Sequence, residues 1–290
     1  MATTRADDVI FGLGLLALRD GARKMELALA VADATARTAL ADAIARADAK
    51  IRLIDVPDAW PGVTAAAGDT IVAAAELVAL ADAAHGRAAR KWVTVAGALA
   101  TPALLAAAAD ETIAALVARA GGALDADWIA VAEGAPAGRL VARDDRFAAA
   151  GSPSLLLLLP ARHELVRRMR TPVATWLARA ASACEGCRIC SDACPAALDP
   201  ATLVATLAGG RDEPAAASAM AACSGCGLCD AMCPAALSPR ALATATRDRL
   251  HAAGVTTSPA PPSRPGLERA LLTARLGLTA YDRPPTLTLT

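Results

Sequence analysis

Aromatic side chains are scarce: two Phe, four Trp and one Tyr in 290 residues. Bases would find few ring faces to stack on, and 29 basic side chains are cancelled by 29 acidic ones, so nucleic-acid binding is excluded as a leading class. The opening Met1–Ile10 carries Asp7 and Asp8 where an export signal has a basic start and an apolar run. A cytoplasmic protein is expected. No clean membrane-spanning run is found either. One uncharged stretch, Trp92 to Ala109, is interrupted by Gly97, Pro102 and two threonines, and much of it is alanine; it reads as strand, turn and helix. Any membrane contact is therefore expected to be peripheral, without insertion. His85, His163 and His251 lie far apart with no second ligand at a metal-binding spacing, and read as surface or helix-end residues.

Hydrophobic residues make up 55% of the chain, with 80 alanines among them, so the core must be built mainly from Ala, Leu and Val, which favours close-packed helices. The length suits roughly two domains of about 150 residues each. A helix is expected near Val9 to Leu18, followed by the apolar run Leu27 to Ala32, a helix Thr35 to Asp48 and the run Ile51 to Val56, a β-α-β pattern with a parallel sheet. Pro57, Pro61 and Gly62 stop the second strand, and an alanine-rich helix follows over Thr70 to His85. From Trp92 a β-branched strand opens a second module. It continues with a helix over Asp110 to Ala120, a strand Trp128 to Val131, a turn over Gly134 to Gly138, and strands near Arg139 to Ala142 and Ser154 to Leu159.

All eight cysteines fall between 184 and 233, in a repeat of period 39. Cys184, Cys187, Cys190, Cys194 and Pro195 recur as Cys223, Cys226, Cys229, Cys233 and Pro234, and a helix is expected to start near Pro200 and again near Pro239. The spacing C-x-x-C-x-x-C-x-x-x-C-P is the one by which bacterial ferredoxin-type domains hold [4Fe–4S] clusters, three thiolates on a tight loop and the fourth from afar. With the usual exchange of that fourth ligand, one cluster takes Cys184, Cys187, Cys190 and Cys233, and the other Cys223, Cys226, Cys229 and Cys194. Small residues at Gly186, Gly225 and Gly227 let backbone N–H groups approach the sulfides. Structural zinc and disulfides are the alternatives; zinc rarely uses this triple spacing, and a cytosolic setting disfavours disulfides. Fully capped clusters move single electrons, so an electron relay is expected rather than a hydrolytic or radical enzyme.

On these residues the chain resembles the RnfC/PduS family, which joins the RnfC component of the Rnf complex to the PduS-type cobalamin reductases of microcompartments. Lys91-Trp92-Val-Thr-Val-Ala-Gly97 with Pro102 is similar to the start of that family's β-grasp (SLBB-like) module, and Glu133 to Gly138 to its glycine-rich turn. Asp55-Val-Pro-Asp-Ala-Trp-Pro61 resembles the end of its flavin and nicotinamide domain, and Arg275 to Asp282 the end of PduS-like members. The resemblance implies an α+β chain: a Rossmann-like β/α domain over 1–88, truncated at its N-terminus, a β-grasp module over 89–160, an α-helical dicluster ferredoxin domain over 161–254 and an extended tail with a short helix over 255–290. It further implies a flavoprotein (NADH/FMN) donor, and a corrinoid enzyme or membrane redox complex as acceptor. Family members begin with a glycine-rich flavin loop and an Asn-Gly-Ala-Glu-Cys segment, which this chain lacks. Gly12 and Gly14 sit inside a helical pattern, so FMN has no evident phosphate loop here. A complete flavin-dependent NADH reductase and an interaction scaffold with structural clusters are the rival readings.

Four further features carry a plainer expectation. Arg162 to Arg170 reads as a basic helix with a solvated face and a Glu164–Arg168 surface pair, with partner docking as the alternative. Asp55 and Asp58 read as structural caps rather than ribose ligands, and Glu133 to Gly138 as a tight hairpin. The helix Leu267 to Leu276, behind a Ser/Pro-rich linker, reads as packing back onto its own domain, with a tether to a shell or partner protein as the alternative.

Overall fold

The computed structural model describes residues 4–30, 33–61, 70–87, 91–108, 110–134, 136–146, 154–211, 214–282 and 286–287. Helices and strands are mixed throughout, an α+β chain. α1 (Ala6–Asp20) ends at Gly21, whose φ of 64° turns its N–H back to the Ala17 carbonyl. β1 (Met25–Ala30), α2 (Ala34–Arg46) and β2 (Ile51–Val56) follow, with β1 and β2 parallel from Met25 opposite Ile51 to Ala30 opposite Val56. A helical crossover of this kind is what a parallel pair requires. Residues 31, 32 and 62, expected at strand ends, lie outside the described residues. After β3 (Ala59–Trp60), α3 (Ala74–Ala84) packs on α1 at Gly12, where a Cβ would stand 2.1 Å from the Leu77 carbonyl oxygen. Gly12 is thus a helix-crossing residue. Arg5 and Arg87 each bridge Asp8 and Asp82 at 2.5–2.6 Å, tying α1 to the far end of α3. The side chains of Asp55 and Asp58 pair with Arg37 and Arg269, and the Asp58 carbonyl accepts the N–H of Arg269, the first residue of a later helix.

The central scaffold is a six-stranded mixed sheet. Its strands β4 (Lys91–Gly97), β5 (Ala103–Ala107), β6 (Trp128–Ala132), β7 (Arg139–Val141) and β8 (Leu155–Pro160) are joined at the edge by Thr286–Leu287, parallel to β5. One face carries Val93, Val95, Leu105, Leu156 and Leu158 against α4 (Ile113–Arg119). The other face is shared: Trp92, Leu104 and Ala106 meet α1 and α3, while Val131, Leu157 and Leu159 meet helices from the C-terminal half. Burial on both faces explains why Leu155–Pro160 is a continuous apolar run with no alternation.

The expected strand, turn and helix over Trp92 to Ala109 is corrected to strand, turn and strand. Alanine and leucine favour helix, but all of Ala103–Ala107 is buried and pairs antiparallel with β4, Lys91 opposite Ala107 to Val95 opposite Ala103. Pairing and burial override a propensity worth only tenths of a kcal/mol per residue.

The C-terminal half is helical: α5 (Glu164–Arg170), α6 (Val173–Ala183), α7 (Ile189–Asp192), α8 (Pro200–Ala208), α9 (Pro214–Ala219), α10 (Leu228–Met232) and α11 (Pro239–Ala252). Pro200 and Pro239 open their helices, as a fixed φ and an absent N–H allow, behind the caps Asp199 and Ser238. Beyond Gly254 the chain runs back across the helices, with Ala260 N–H donating to Ala222 O and Ser263 and Arg264 N–H to Pro195 O. β9 (Leu267–Glu268) then pairs with β3, and α12 (Arg269–Arg275) buries Leu272 in the sheet-facing core, with Leu276 just beyond it. The helix packs back onto the body of the chain. His163 caps α5 through Nδ1; its Nε2–H donates to the Gly277 carbonyl, and its ring meets Tyr281 edge-on.

Candidate metal centres

The cysteine repeat folds as a repeat. Gly186 and Gly225 have φ of 67° and 71°, Arg188 and Gly227 63° and 80°, Ala197 and Ala236 54° and 52°. Each pair is 39 residues apart, so both loops take the same left-handed steps into the short helices α7 and α10.

A polar clasp holds each loop to the helix that follows, with its two partners exchanged between the copies. In the first, Ser191 Oγ donates to Asp199 at 2.5 Å and accepts the Ala201 N–H, while Asp199 caps α8 by accepting from Thr202 N–H. In the second, Ser238 Oγ donates to Asp230 at 2.6 Å and caps α11 by accepting from Ala241 N–H, while Asp230 accepts the Arg240 N–H. Serine and aspartate have traded places, and these three hydrogen bonds recur in both copies. Burial alone would raise Asp199, but hydrogen bonds from Ser191, Arg188 and Thr202 outweigh it and hold the carboxyl well below the usual range. Asp230 goes the other way: burial pushes it up despite Ser238 and the Arg240 N–H.

A carboxyl depressed in the fold contributes stability above its unfolded pKa and loses it on protonation. Asp199→Ala is therefore expected to cost about 1–2 kcal/mol at neutral pH, the worth of a helix cap. The gap to the unsubstituted chain should close as pH falls below about 4. Urea unfolding at pH 7 and at stepwise lower pH measures it.

Two cavities lie against these loops. One is lined by Cys184, Cys187, Cys190 and Cys233, the other by Cys223, Cys226, Cys229 and Cys194. Each gathers three cysteines of one motif and the last cysteine of the other. Among the described residues no three such side chains close on a single-ion site; the thiols stand around the cavity walls. Burial first, and then the neighbouring Cys233, push the Cys190 thiol up to about 11. Burial also raises Cys223 and Cys226, and carries Cys229 well above the ordinary range. Thiols raised in this way become thiolates when positive charge enters with the guest, which is the chemistry of a metal–sulfur group. The residues fit one.

The two cavities are walled differently. Every residue from 181 to 189 is exposed, Cys184 and Cys187 among them. The second loop faces inward. Trp60 Nε1–H donates to Cys226 O at 2.9 Å, and Arg247 donates to Cys223 O at 3.0 Å. Arg240 spans Gly225 O at 2.9 Å and Ala137 O at 2.8 Å, which pins the turn after β6 to the loop. Pro136 sits on Gly227, where a Cβ would be 2.7 Å away. The expected hairpin at Glu133 to Gly138 is observed between β6 and β7 and is also the lid of the inner loop; residue 135 lies outside the described residues.

The expected Glu164–Arg168 pair is corrected. Arg167 takes Glu164 at i, i+3, while Arg168 turns inward to donate to Asp230 O and Leu237 O, fastening α5 under the second loop. Sequence reasoning missed Trp60, Arg168, Arg240 and Arg247. For the last two a signal existed, since the repeat sets them against Ala201 and Ala208.

Residues 183–238 match the family model of a 4Fe–4S dicluster domain. That domain contains both loops and all eight cysteines. No curated protein matches the chain. Among solved structures, the chain is similar to an NAD+-reducing [NiFe]-hydrogenase in the air-oxidized state, at 18% identity and a TM-score of 0.50, covering 98% of this chain and 58% of that one. The H2-reduced state of an NAD+-reducing [NiFe]-hydrogenase is also found, at 19% identity and a TM-score of 0.47, covering 97% and 53%. The likeness is one of fold, and the chain spans little more than half the length of the hydrogenase chains it matches. Among the described residues no helix is long and apolar enough to cross a membrane.

Proposed function

We propose that the chain is an electron relay with two [4Fe–4S] centres, an outer one on Cys184, Cys187, Cys190 and Cys233 and an inner one on Cys223, Cys226, Cys229 and Cys194. The observation that carries this reading is the crossing of the last cysteines: each cavity is completed by the cysteine preceding the proline of the other motif. When bound, such centres supply one-electron oxidation and reduction. The protein's part is to cap every iron with thiolate, shield the inner loop with Trp60 and Pro136, and leave residues 181–189 open to a redox partner.

In this reading the donor is a separate NADH-linked flavoprotein and the acceptor a corrinoid enzyme or a membrane redox complex, as the resemblance to the RnfC/PduS family implies. The N-terminal β/α unit and the β-grasp-like sheet then serve as the platform that holds the inner loop. Gly12 at a helix crossing supports a chain that does not itself cradle a flavin phosphate.

The test is anaerobic purification with iron, acid-labile sulfide, zinc and flavin quantified, and EPR after dithionite. About eight irons per chain, a reduced-cluster signal and no flavin are expected. Stoichiometric flavin would make the chain a reductase in its own right, clusters inert to dithionite would make it a scaffold, and zinc in place of iron would overturn the relay.

A further inference from the structure

The two loops share ligand type, backbone path and clasp, yet their charges differ. Residues 184–209 carry Glu185, Arg188, Asp192 and Asp199, three carboxylates and one guanidinium; residues 223–248 carry Asp230, Arg240, Arg247 and Asp248, two of each. The single cation of the outer copy is spent on Asp199, at 2.7 Å. The inner copy places both of its cations on the cysteine loop itself. Arg240 reaches Gly225 O and Arg247 reaches Cys223 O, at 2.9 and 3.0 Å. The outer positions equivalent to these arginines are Ala201 and Ala208.

We infer that Arg240 and Arg247 are potential-setting residues of the inner centre, raising its reduction potential by stabilising the additional negative charge of the reduced state. The inference rests on the two-centre reading above and adds to it which residues separate the two centres in energy. A cluster gains one electron on reduction, so a fixed cation beside its thiolates favours the reduced form, and charge and hydrogen bonding around the sulfurs are general determinants of cluster potential. Arg247 keeps Nη1 on the loop while its Nε and Nη2 pair with Asp248 at 2.9 and 2.8 Å; Asp248 is 64% exposed, so water screens its charge more than that of Arg247, at 25%, and the pair offsets the cation in part. Arg240 hydrogen-bonds through its guanidinium to three backbone carbonyls, of Gly225, Ala137 and Gly138. Burial of the inner loop works in the opposite sense, because low dielectric disfavours added negative charge. The two cations offset that penalty.

Arg247 is the residue to test, since Arg240 also holds the Ala137–Gly138 turn. EPR-monitored redox titration of the full chain is expected to show Arg247→Gln moving one midpoint to more negative potential by about tenfold in its one-electron equilibrium, about 59 mV, with the other midpoint unmoved. Arg247→Lys should restore most of the shift, Asp248→Asn should move the same midpoint the opposite way, and Glu185→Gln should move only the other. Arg247→Gln with full iron content and two unmoved midpoints, or with both moved equally, overturns the inference and leaves the relay reading intact. A wild-type chain without two reducible centres overturns the relay reading, and this inference with it.

Discussion

On the two-centre proposal, Cys194→Ser is expected to remove about four of eight irons, and the signal lost should be that of the centre built on the other motif. Cys194 stands between Ala193 and Pro195, six residues before the start of α8, and by sequence it belongs with Cys184, Cys187 and Cys190. Its side chain lines the cavity of Cys223, Cys226 and Cys229. Cys233 makes the reverse crossing. Serine is close to isosteric, so folding should survive while one thiolate ligand is lost. The surviving EPR signal should then respond to Glu185→Gln and not to Arg247→Gln. Cys190→Ser is the complement and should leave the Arg247-sensitive signal. If Cys194→Ser instead removed the Glu185-sensitive signal, each motif would serve its own centre and the crossing would be wrong.

Gly227→Ala and Arg188→Gly are expected to have very different effects although the two positions are equivalent in the repeat. Both residues have left-handed φ, 80° and 63°. An alanine in that region costs about 1–2 kcal/mol. At Gly227 its Cβ would also stand 2.7 Å from the Pro136 side chain and 3.0 Å from the Pro136 carbonyl oxygen, and overpacking of this kind costs about 1–3 kcal/mol more. Gly227→Ala should therefore destabilise the chain by roughly 2–5 kcal/mol and release the inner centre first, seen as loss of the Arg247-sensitive signal on mild urea treatment. At Arg188 the loop faces solvent, so Arg188→Gly relieves backbone strain of similar size and gives up a largely exposed pair with Asp199 and a 3.4 Å hydrogen bond to Thr202 Oγ1, together worth about 0–1 kcal/mol. Its stability should match that of the unsubstituted chain or exceed it by up to about 2 kcal/mol. Equal losses at both positions would mean that Pro136 does not press on the inner loop.

Local rules were sufficient wherever one segment carries its own answer. The apolar run Ile51 to Val56 is a strand with those ends, the helices begin at Pro200 and Pro239, and the 39-residue period is mirrored in left-handed steps at 186 and 225 and at 197 and 236. Turn chemistry, proline geometry and cysteine spacing act over a few residues and need no partner. Tertiary structure decided the rest. Ala103–Ala107 has helical propensity and became a strand because β4 offered it a ladder and a buried place; Arg168 left Glu164 because the carbonyls of Asp230 and Leu237 lie within its reach; Gly12 proved to be a helix crossing because Leu77 lies against it. The difference between the loops was likewise out of reach of spacing alone. By sequence the motifs are near copies; the repeat marks Arg240 and Arg247 as differences, but only folding brings them onto the loop, sets Trp60 and Pro136 beside them and leaves residues 181–189 in solvent. Trp60 is 166 positions from Cys226. Contacts of that range follow from how whole faces pack, and no local pattern records them.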